Sequence, residues 1–216
     1  SGSDMRRSGE PYVGQLFLAL GGGPAGPKAD GWLTYCLPTA AGNIRLDSVE
    51  LDEVRYPIVI SSIRVLPGTQ GAGKHCGAPA TEVTYGPTLS PLTAIIPSDG
   101  HHNAPRGAYG GKLGQPGATF KRNRDGSAEQ LANFVRIEIA PGESLRGIEG
   151  GGAGYGNPYH RDPTHVLQDV ERGWETSERA EKIYGVVIRG TRTADTLAVN
   201  FEATDALRAG AIKPEQ

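Results

Sequence analysis

The chain of 216 residues is poor in cysteine, methionine and aromatic residues: it has two Cys, one Met and an aromatic content of 6%. A scaffold held together by disulfides would be denser in cysteine, so we expect Cys36 and Cys76 to be reduced, partly buried thiols. The apolar residues amount to only 37% of the chain, which argues against a richly packed helical bundle.

Long hydrophobic segments and an excess of charge of one sign are also missing. No apolar run approaches the roughly 18 residues that a membrane-spanning helix needs, and residues 1–10 lack the apolar part of a secretory signal. The 22 basic and 24 acidic residues give a net charge of −2, which argues against disorder and against nucleic acid as the main partner. We therefore expect a folded cytoplasmic protein that binds neither nucleic acid nor a membrane.

Glycine and proline are abundant instead, with 32 and 16 residues that together make up about 22% of the chain. This share lies just below the roughly 25–30% that is typical of low-complexity chains. Both residues break helices and occupy turns. The composition therefore predicts an ordered, β-rich fold of the α+β class with mainly antiparallel sheets. We expect one domain over residues 1–216, with flexible ends at 1–11 and 205–216.

Short stretches of β-branched or alternating residues predict the strands. The strongest is Tyr56–Leu66, which Pro67-Gly68 closes, and Phe134–Ile139 alternates as a sheet with one wet face requires. Lys121–Arg124 is followed by Asp125-Gly126, which predicts the tip of a hairpin. Further strands are predicted at Tyr12–Leu20, Trp32–Leu37, Ile44–Val49, Thr81–Tyr85, Val186–Ile188 and Thr196–Phe201.

Around residue 160 the spacing of apolar residues becomes helical. Asp162 can cap a helix that has Pro163 in its first position, and Gly173 lies where that helix would end. A second short helix is predicted to begin at Thr176 or Ser177 and to end before Gly185. The two helices would form a helical hairpin near the C-terminus, followed by a helical turn at 204–209.

The segment Gly68–His75 matches the phosphate-binding pattern G-x-x-x-x-G-K up to its last position. Two requirements of that loop are not met. His75 stands where a Ser or Thr hydroxyl should bind Mg²⁺, and the residues that follow do not open a helix that could hold the phosphates. We interpret the segment as a glycine-rich turn between two strands.

A second glycine-rich segment, Gly150–Pro158, has five glycines among its first seven residues. Its backbone N–H groups could converge on an anion, or another chain could approach it closely. The segment does not match a dinucleotide-binding fingerprint in register with a strand and a helix. Both a tight structural loop and a ligand or interface role therefore stay open for it.

The five histidines invite a metal hypothesis, and His165 could meet Asp169 on one face of the first helix. None of them shows the spacing of a metal-binding motif, so we predict solvated or capping histidines and no metal site. Cys76 and His75 would point apart in a strand and do not make a catalytic dyad. The residues alone contain no complete active site, and the catalytic residues stay unknown.

A series of ordered motifs covers residues from about 12 to about 188. They include a glycine run, a Gly-Tyr-Gly-x-Pro element, Arg-Asp-Pro, a Val-x-x-Asp-Val helix and Ala-x-x-x-Tyr-Gly-Val-Val. These motifs lie at Gly150–Gly152, Gly154–Pro158, Arg161–Pro163, Val166–Val170 and Ala180–Val187. Upstream segments that agree with them are Gln15–Gly31, Glu53–Pro57, Gly71–Lys74 and Pro105–Gly111. In this order the motifs resemble the hydantoinase B/5-oxoprolinase family, to which subunits of acetone and acetophenone carboxylases are related.

The chain departs from the family pattern in three respects. Cys76-Gly77-Ala78 stands where members usually have Arg-Gly-Gly, and Asn157 replaces the usual Asp of the Gly-Tyr-Gly-Asp-Pro element. Members are commonly more than twice as long as this chain. The chain therefore looks like only their C-terminal portion.

The resemblance implies a part of an ATP-dependent enzyme that opens a cyclic amide or imide, inactive by itself. Its expected partners in a hetero-oligomer are an ATP-binding subunit of the hydantoinase A type and an N-terminal hydantoinase B portion. ATP with Mg²⁺ and a divalent metal are expected on those partner chains. A ketone carboxylase component and a non-catalytic β-rich interaction module are the alternatives. The candidate loop and interface residues are Gly150, Gly151, Gly152, Gly154, Tyr155, Asn157, Arg161, Asp162 and Arg106.

Overall fold

The structure is a computed structural model that describes residues 1–34 and 46–211. Its strands are β1 (Gly2–Asp4), β2 (Glu10–Tyr12), β3 (Ile58–Leu66), β4 (Ala80–Pro87), β5 (Leu92–Pro97), β6 (Ala118–Arg122), β7 (Ala128–Gln130), β8 (Phe134–Ile139), β9 (Ser144–Ile148), β10 (Ile188–Arg189) and β11 (Ala198–Val199). Its helices are α1 (Val49–Arg55), α2 (Pro163–Glu171), α3 (Ser177–Tyr184) and α4 (Phe201–Ala211). Among the described residues, no helix is both long and apolar enough to span a membrane.

The strands pair into antiparallel sheets, which confirms the α+β prediction. The first sheet has the order β2-β1-β5-β8, and the second has the order β3-β4-β9-β6-β7. Strands β10 and β11 form a separate two-stranded ribbon. The two larger sheets enclose an apolar core whose buried members are Ile58, Leu92, Ala94, Ile139 and Leu145.

The strongest sequence patterns correspond to the observed elements. Strands β3, β4 and β8 lie where strands were predicted, and Lys121–Arg124 leads into the hairpin that joins β6 to β7. The helical hairpin is α2 and α3. Asp162 caps α2 and Thr176 caps α3, and Gly185 ends α3 in the left-handed region with φ of 62°. These signals depend only on residues close by in the chain, so the sequence predicts them correctly.

Several strand predictions were wrong. In the predicted strand Tyr12–Leu20 only Tyr12 is in a strand, because the segment lies across the face of β4, where the Thr81 hydroxyl bonds to Leu20 N and O. The prediction for Ile44–Val49 was wrong at its end, since Ser48 caps α1 and Val49 begins it. The first two residues of Ile44–Val49 lie outside the described residues. For the predicted strand Trp32–Leu37, residues 32–34 form no strand, and residues 35–37 lie outside the described residues.

The last predicted elements differ from the observed ones in length. The strand predicted at Val186–Ile188 begins only at Ile188, because Val186 is buried in the apolar cluster around α2 and α3. The strand predicted at Thr196–Phe201 is reduced to β11, and the helical turn at 204–209 is part of the longer α4. At the ends expected to be flexible, β1 and β2 occupy part of residues 1–11, and α4 extends to residue 211.

Four glycine-rich segments, residues 21–32, 69–78, 105–115 and 150–156, run side by side without forming a regular sheet, and we call them the glycine layer. Single backbone hydrogen bonds join them: Gly71 N donates to Gly152 O, and Gly152 N donates to Ala78 O, both at 2.8 Å. A Cβ placed on Gly71 would lie 2.6 Å from Gly154 N. The backbones are therefore too close for side chains between them, as at the axis of collagen.

The helices pack against the glycine layer through a second apolar cluster. Its buried members are Ala72, Val166, Val170, Ala180, Tyr184 and Val186. Ala72 belongs to the glycine layer and the other members come from α2, from α3 and from the residues after α3. The glycine layer thus fixes where the helical hairpin stands.

We expect Gly152→Ala to lower the free energy of unfolding by more than about 3 kcal/mol. The physical reason is that a Cβ at Gly152 would overlap the carbonyl group of Gly23 in the neighbouring segment. The matched control is Gly26→Ala, since a Cβ at Gly26 has no heavy atom within 4 Å. Urea unfolding followed by circular dichroism measures both variants, and equal midpoints for the two would contradict the close approach.

Candidate functional site

Arg161 lies at the junction of the glycine layer and α2, and its side chain is only 1% exposed. Nη1 and Nη2 donate to the two carboxylate oxygens of Asp30 at 2.7 and 2.8 Å. Nη2 also donates to Oδ2 of Asp169 on α2 at 2.9 Å. One buried guanidinium therefore joins two carboxylates that come from different parts of the fold.

Cys76 completes this group, which we call the arginine cluster: Asp30, Cys76, Arg161 and Asp169. The backbone N–H of Cys76 donates to Oδ1 of Asp30 at 2.9 Å, and its Sγ lies 3.8 Å from Oδ2 of Asp169. The cluster thus connects two segments of the glycine layer with the first helix of the hairpin.

Burial and pairing with Arg161 act in opposite directions on the pKa values of the carboxyl groups in the cluster. Burial opposes ionisation of Asp30, but the hydrogen bonds and positive charge of Arg161 outweigh it and lower the pKa of Asp30. For Asp169, burial dominates and raises the pKa. Burial also raises the pKa of the Cys76 thiol far above its ordinary value. A buried thiol that resists ionisation is a poor nucleophile, so the arrangement acts as a structural clamp.

The glycines among the candidate residues all lie in the glycine layer. Gly151, Gly152 and Gly154 are buried, and Gly150 is half-buried and accepts a hydrogen bond from Gly22 N at 2.8 Å. Tyr155 exchanges backbone hydrogen bonds with His75, and its ring centroid lies 5.0 Å from that of Tyr109. These contacts give the segment a structural role, and a ligand or interface role for it stays a prediction.

Asn157 and Asp162 are exposed and cap short helical segments. Oδ1 of Asn157 accepts a hydrogen bond from Tyr159 N at 3.0 Å and starts the 3₁₀ helix Pro158–His160. Oδ1 of Asp162 accepts from Thr164 N at 2.8 Å and starts α2. An amide oxygen caps a helix about as well as a carboxylate does. The replacement of the family's Asp by Asn157 therefore leaves the cap in place.

Arg106 is exposed, and the structure does not bring it to the arginine cluster. His165 and Asp169 do not meet as the sequence suggested, because Asp169 turns inward to Arg161 and His165 stays exposed. Sequence reasoning missed Asp30 and Asp169 as partners of Arg161. Each lies in a family-like motif, but Asp30 is 131 residues away from Arg161 along the chain.

The segment Gly68–His75 connects β3 to β4 and leads into no helix, so it lacks the architecture of a phosphate-binding loop. Gly71 within it bonds to Gly152 in the glycine layer. In residues 1–34 and 46–211, no group of three or more His, Cys, Asp or Glu side chains is arranged to hold a metal ion.

An apolar groove of about 620 Å³ opens between the two larger sheets and along residues 12–21. Two apolar side chains that line this groove stay largely exposed, with Val13 84% and Ile95 63% accessible. The hydroxyl of Tyr12 lines the groove and is buried without a hydrogen-bond partner among the described residues. Exposed apolar patches of this kind mark surfaces that bind other molecules.

Residues 1–158 match the family model described as Hydantoinase B/oxoprolinase. This match covers well over half of the chain, so the chain belongs to the hydantoinase B/oxoprolinase family. The resemblance drawn from the motifs is confirmed.

Two curated relatives are components of larger enzymes. The beta chain of the caprolactamase of Pseudomonas jessenii is 30% identical over 206 residues, which cover 93% of this chain and 35% of that protein. The B-type component of a putative D-/L-hydantoinase of Pseudomonas sp. (strain NS671) is 29% identical over 174 residues, which cover 79% of this chain and 28% of that protein. The chain thus spans about a third of the length of these relatives.

Two solved structures are also similar to this chain over most of its length and over about a third of their own. The crystal structure of the ATP-dependent caprolactamase from Pseudomonas jessenii is similar with a TM-score of 0.78 and 28% identity, over 96% of this chain and 36% of that chain. The nucleotide-free structure of an acetone carboxylase has a TM-score of 0.72 and 19% identity, over 89% of this chain and 30% of that chain. At that identity the second likeness concerns the fold alone.

We expect Arg161→Leu to lower the free energy of unfolding by about 3–5 kcal/mol, because it leaves the buried carboxylate of Asp169 and the half-buried carboxylate of Asp30 without their counter-charge. Arg106→Leu is the matched control, since this arginine is exposed and a change there should stay within about 0.5 kcal/mol. Chemical unfolding of both variants beside the unchanged chain measures the difference. A loss below about 1 kcal/mol for Arg161→Leu would contradict the clamp.

We expect the Cys76 thiol to resist alkylation while the protein is folded, because it is buried and burial raises its pKa. The measurement is iodoacetamide labelling of a Cys36→Ser variant, which removes the cysteine that lies outside the described residues. Label should enter only when the chain is unfolded by urea. A Cys36→Ser, Cys76→Ser variant gives the background, and fast labelling of the native protein would overturn the expectation.

Proposed function

We propose that this chain is a component of an ATP-dependent enzyme that opens a cyclic amide or imide. It would act with an ATP-binding subunit of the hydantoinase A type and with an N-terminal hydantoinase B portion. The observation that carries this proposal is the likeness to the ATP-dependent caprolactamase over 96% of the chain at a TM-score of 0.78. A cytoplasmic location belongs to the same proposal.

The residues of this chain favour a supporting role in such an enzyme. Within the described ranges they offer neither a metal-binding group nor a phosphate loop that opens a helix. In this proposal ATP, Mg²⁺ and the divalent metal bind to the partner chains. The contribution of this chain would be a rigid frame, built from the glycine layer and locked by Arg161.

The surface supports association with further chains. Val13 and Ile95 in the apolar groove are exposed, and the chain spans only about a third of its caprolactamase relative. Apolar patches of this kind are typical of surfaces that a partner covers. A partner that is itself part of a hydantoinase B type chain would fit this observation.

Two alternative functions differ from this proposal in what the turnover of ATP would require. A component of a ketone carboxylase would need a ketone and bicarbonate for ATP turnover, and the likeness to acetone carboxylase is one of fold. A non-catalytic module of the same fold would leave the turnover of the assembled partners unchanged. The buried and weakly acidic Cys76 thiol is compatible with a module that has no nucleophile of its own.

The test is reconstitution. The chain is co-expressed with an ATP-binding hydantoinase A type subunit and an N-terminal hydantoinase B portion from the same organism. Phosphate release from ATP is then measured with lactams, hydantoins and 5-oxoproline. We expect co-purification and turnover that depends on both the cyclic amide and this chain. Arg161→Leu should reduce the turnover, whereas Lys182→Ala, at an exposed position of α3 outside the candidate residues, should leave it intact.

Each other outcome contradicts the proposal in a different way. Failure of the three chains to co-purify would exclude a common complex. Turnover that needs a ketone and bicarbonate would favour the carboxylase. Full turnover without this chain would favour the non-catalytic module.

A further inference from the structure

A second cavity, of about 440 Å³, opens beside the start of α2 and is distinct from the apolar groove. We call it the basic cavity. Its lining residues are Lys74, His75, His160, Arg161, Asp162, Pro163, His165 and Arg208. The structural roles described above for Arg161 and Asp162 involve contacts within the fold and leave the side of the cavity that faces solvent unassigned.

The basic groups around this cavity come from separate elements of the fold. Lys74 lies in the glycine layer, His160 in the 3₁₀ helix, His165 in the first turn of α2 and Arg208 in α4. Groups so far apart in the chain converge only because the layer, the hairpin and α4 pack together. Among the described residues that line the cavity, Asp162 is the one acidic residue. Its Oδ1 accepts hydrogen bonds from the backbone N–H and the hydroxyl of Thr164.

Arg208 is held in position before any ligand arrives. Its Nε donates to Tyr184 O at 3.1 Å, and its Nη2 donates to Arg161 O at 2.8 Å. Its Nη1 has no hydrogen-bond partner in the part of the chain that the structure describes. Burial lowers the pKa of Arg208, so the guanidinium is partly desolvated and an anion beside it would restore part of the lost stabilisation.

The start of α2 also favours an anion. Asp162 and Pro163 at this end of the helix line the cavity, so the positive end of the helix dipole is directed towards it. Arg161 lines the cavity as well, but Asp30 and Asp169 already pair with its guanidinium. The first N–H groups of α2 are occupied by Asp162, through Thr164 N and Val166 N. Contacts to a ligand would therefore come from side chains.

We propose that the basic cavity binds a phosphate-bearing anion. Lys74 and Arg208 supply positive charge, and His160 and His165 supply ring nitrogens that can donate hydrogen bonds. A tetrahedral oxyanion with several acceptor oxygens suits donors that approach from several sides. The volume of about 440 Å³ accommodates a phosphate or a diphosphate group. This site needs no partner chain, so the proposal does not depend on the proposed enzymatic function.

The experiment follows the ring signals of the histidines by NMR while inorganic phosphate is added to the 216-residue chain at constant ionic strength. His160→Gln and His165→Gln assign the signals. We expect saturable shifts of both, with a dissociation constant on the order of 1 mM. Lys74→Ala should weaken binding about fivefold or more. Lys182→Ala on α3, an exposed lysine away from the cavity lining, should bind like the unchanged chain.

Parallel titrations distinguish the source of the phosphate. Binding of ATP about tenfold tighter than inorganic phosphate would point to a nucleotide, and equal binding would point to free phosphate. Thermal unfolding verifies that each variant is folded, and Lys74→Gln replaces Lys74→Ala if the latter is not. Shifts that do not saturate, acetate binding as tight as phosphate, or equal affinities for the Lys74 and Lys182 variants would overturn the proposal.

Discussion

Backbone contact between glycine-rich segments is the constraint on which the rest of this structure depends. In the glycine layer, Gly71 and Gly152 bring their backbones to within hydrogen-bonding distance without a regular sheet. A side chain at either position would meet another backbone. Glycine also carries the largest loss of conformational freedom on folding. Such a layer persists only when other contacts hold its segments together.

The arginine cluster supplies contacts of this kind. Arg161 fixes Asp30 in one segment of the layer and Asp169 on α2, and Asp30 holds the backbone of Cys76 in another segment. The planar guanidinium can bind both carboxylates at once, which a lysine ammonium would not do with the same geometry. The outer side of the same junction forms the basic cavity, so one packing arrangement produces both the clamp and the cavity.

The motifs that identify the family are, in this chain, largely devices of architecture. Gly152 and Gly154 allow close approach, Asn157 and Asp162 cap helical segments, and Arg161 holds the cluster. The chain spans about a third of the length of its caprolactamase relative, and under the proposed function the chemistry would come from the partner chains. The architectural role of these motifs also explains why Asn157 can stand in the place of an aspartate without loss of the cap.

The sequence by itself determined what depends on neighbours in the chain. The alternation of β8, the caps of α2 and α3 and the end of α3 at Gly185 are local signals, and each appears in the structure where it was predicted. The strand prediction for the apolar run Tyr12–Leu20 was wrong. Apolar residues indicate that a segment is buried, but they do not determine its backbone conformation.

Only the tertiary structure decided which distant groups meet. Asp30 and Arg161 are 131 residues apart in the chain, and Lys74 and Arg208 converge on one cavity from different elements. No spacing in the sequence encodes these meetings. They arise because α2 and α3 pack on the glycine layer through the apolar cluster around Ala72, and this packing brings residues from distant parts of the chain together.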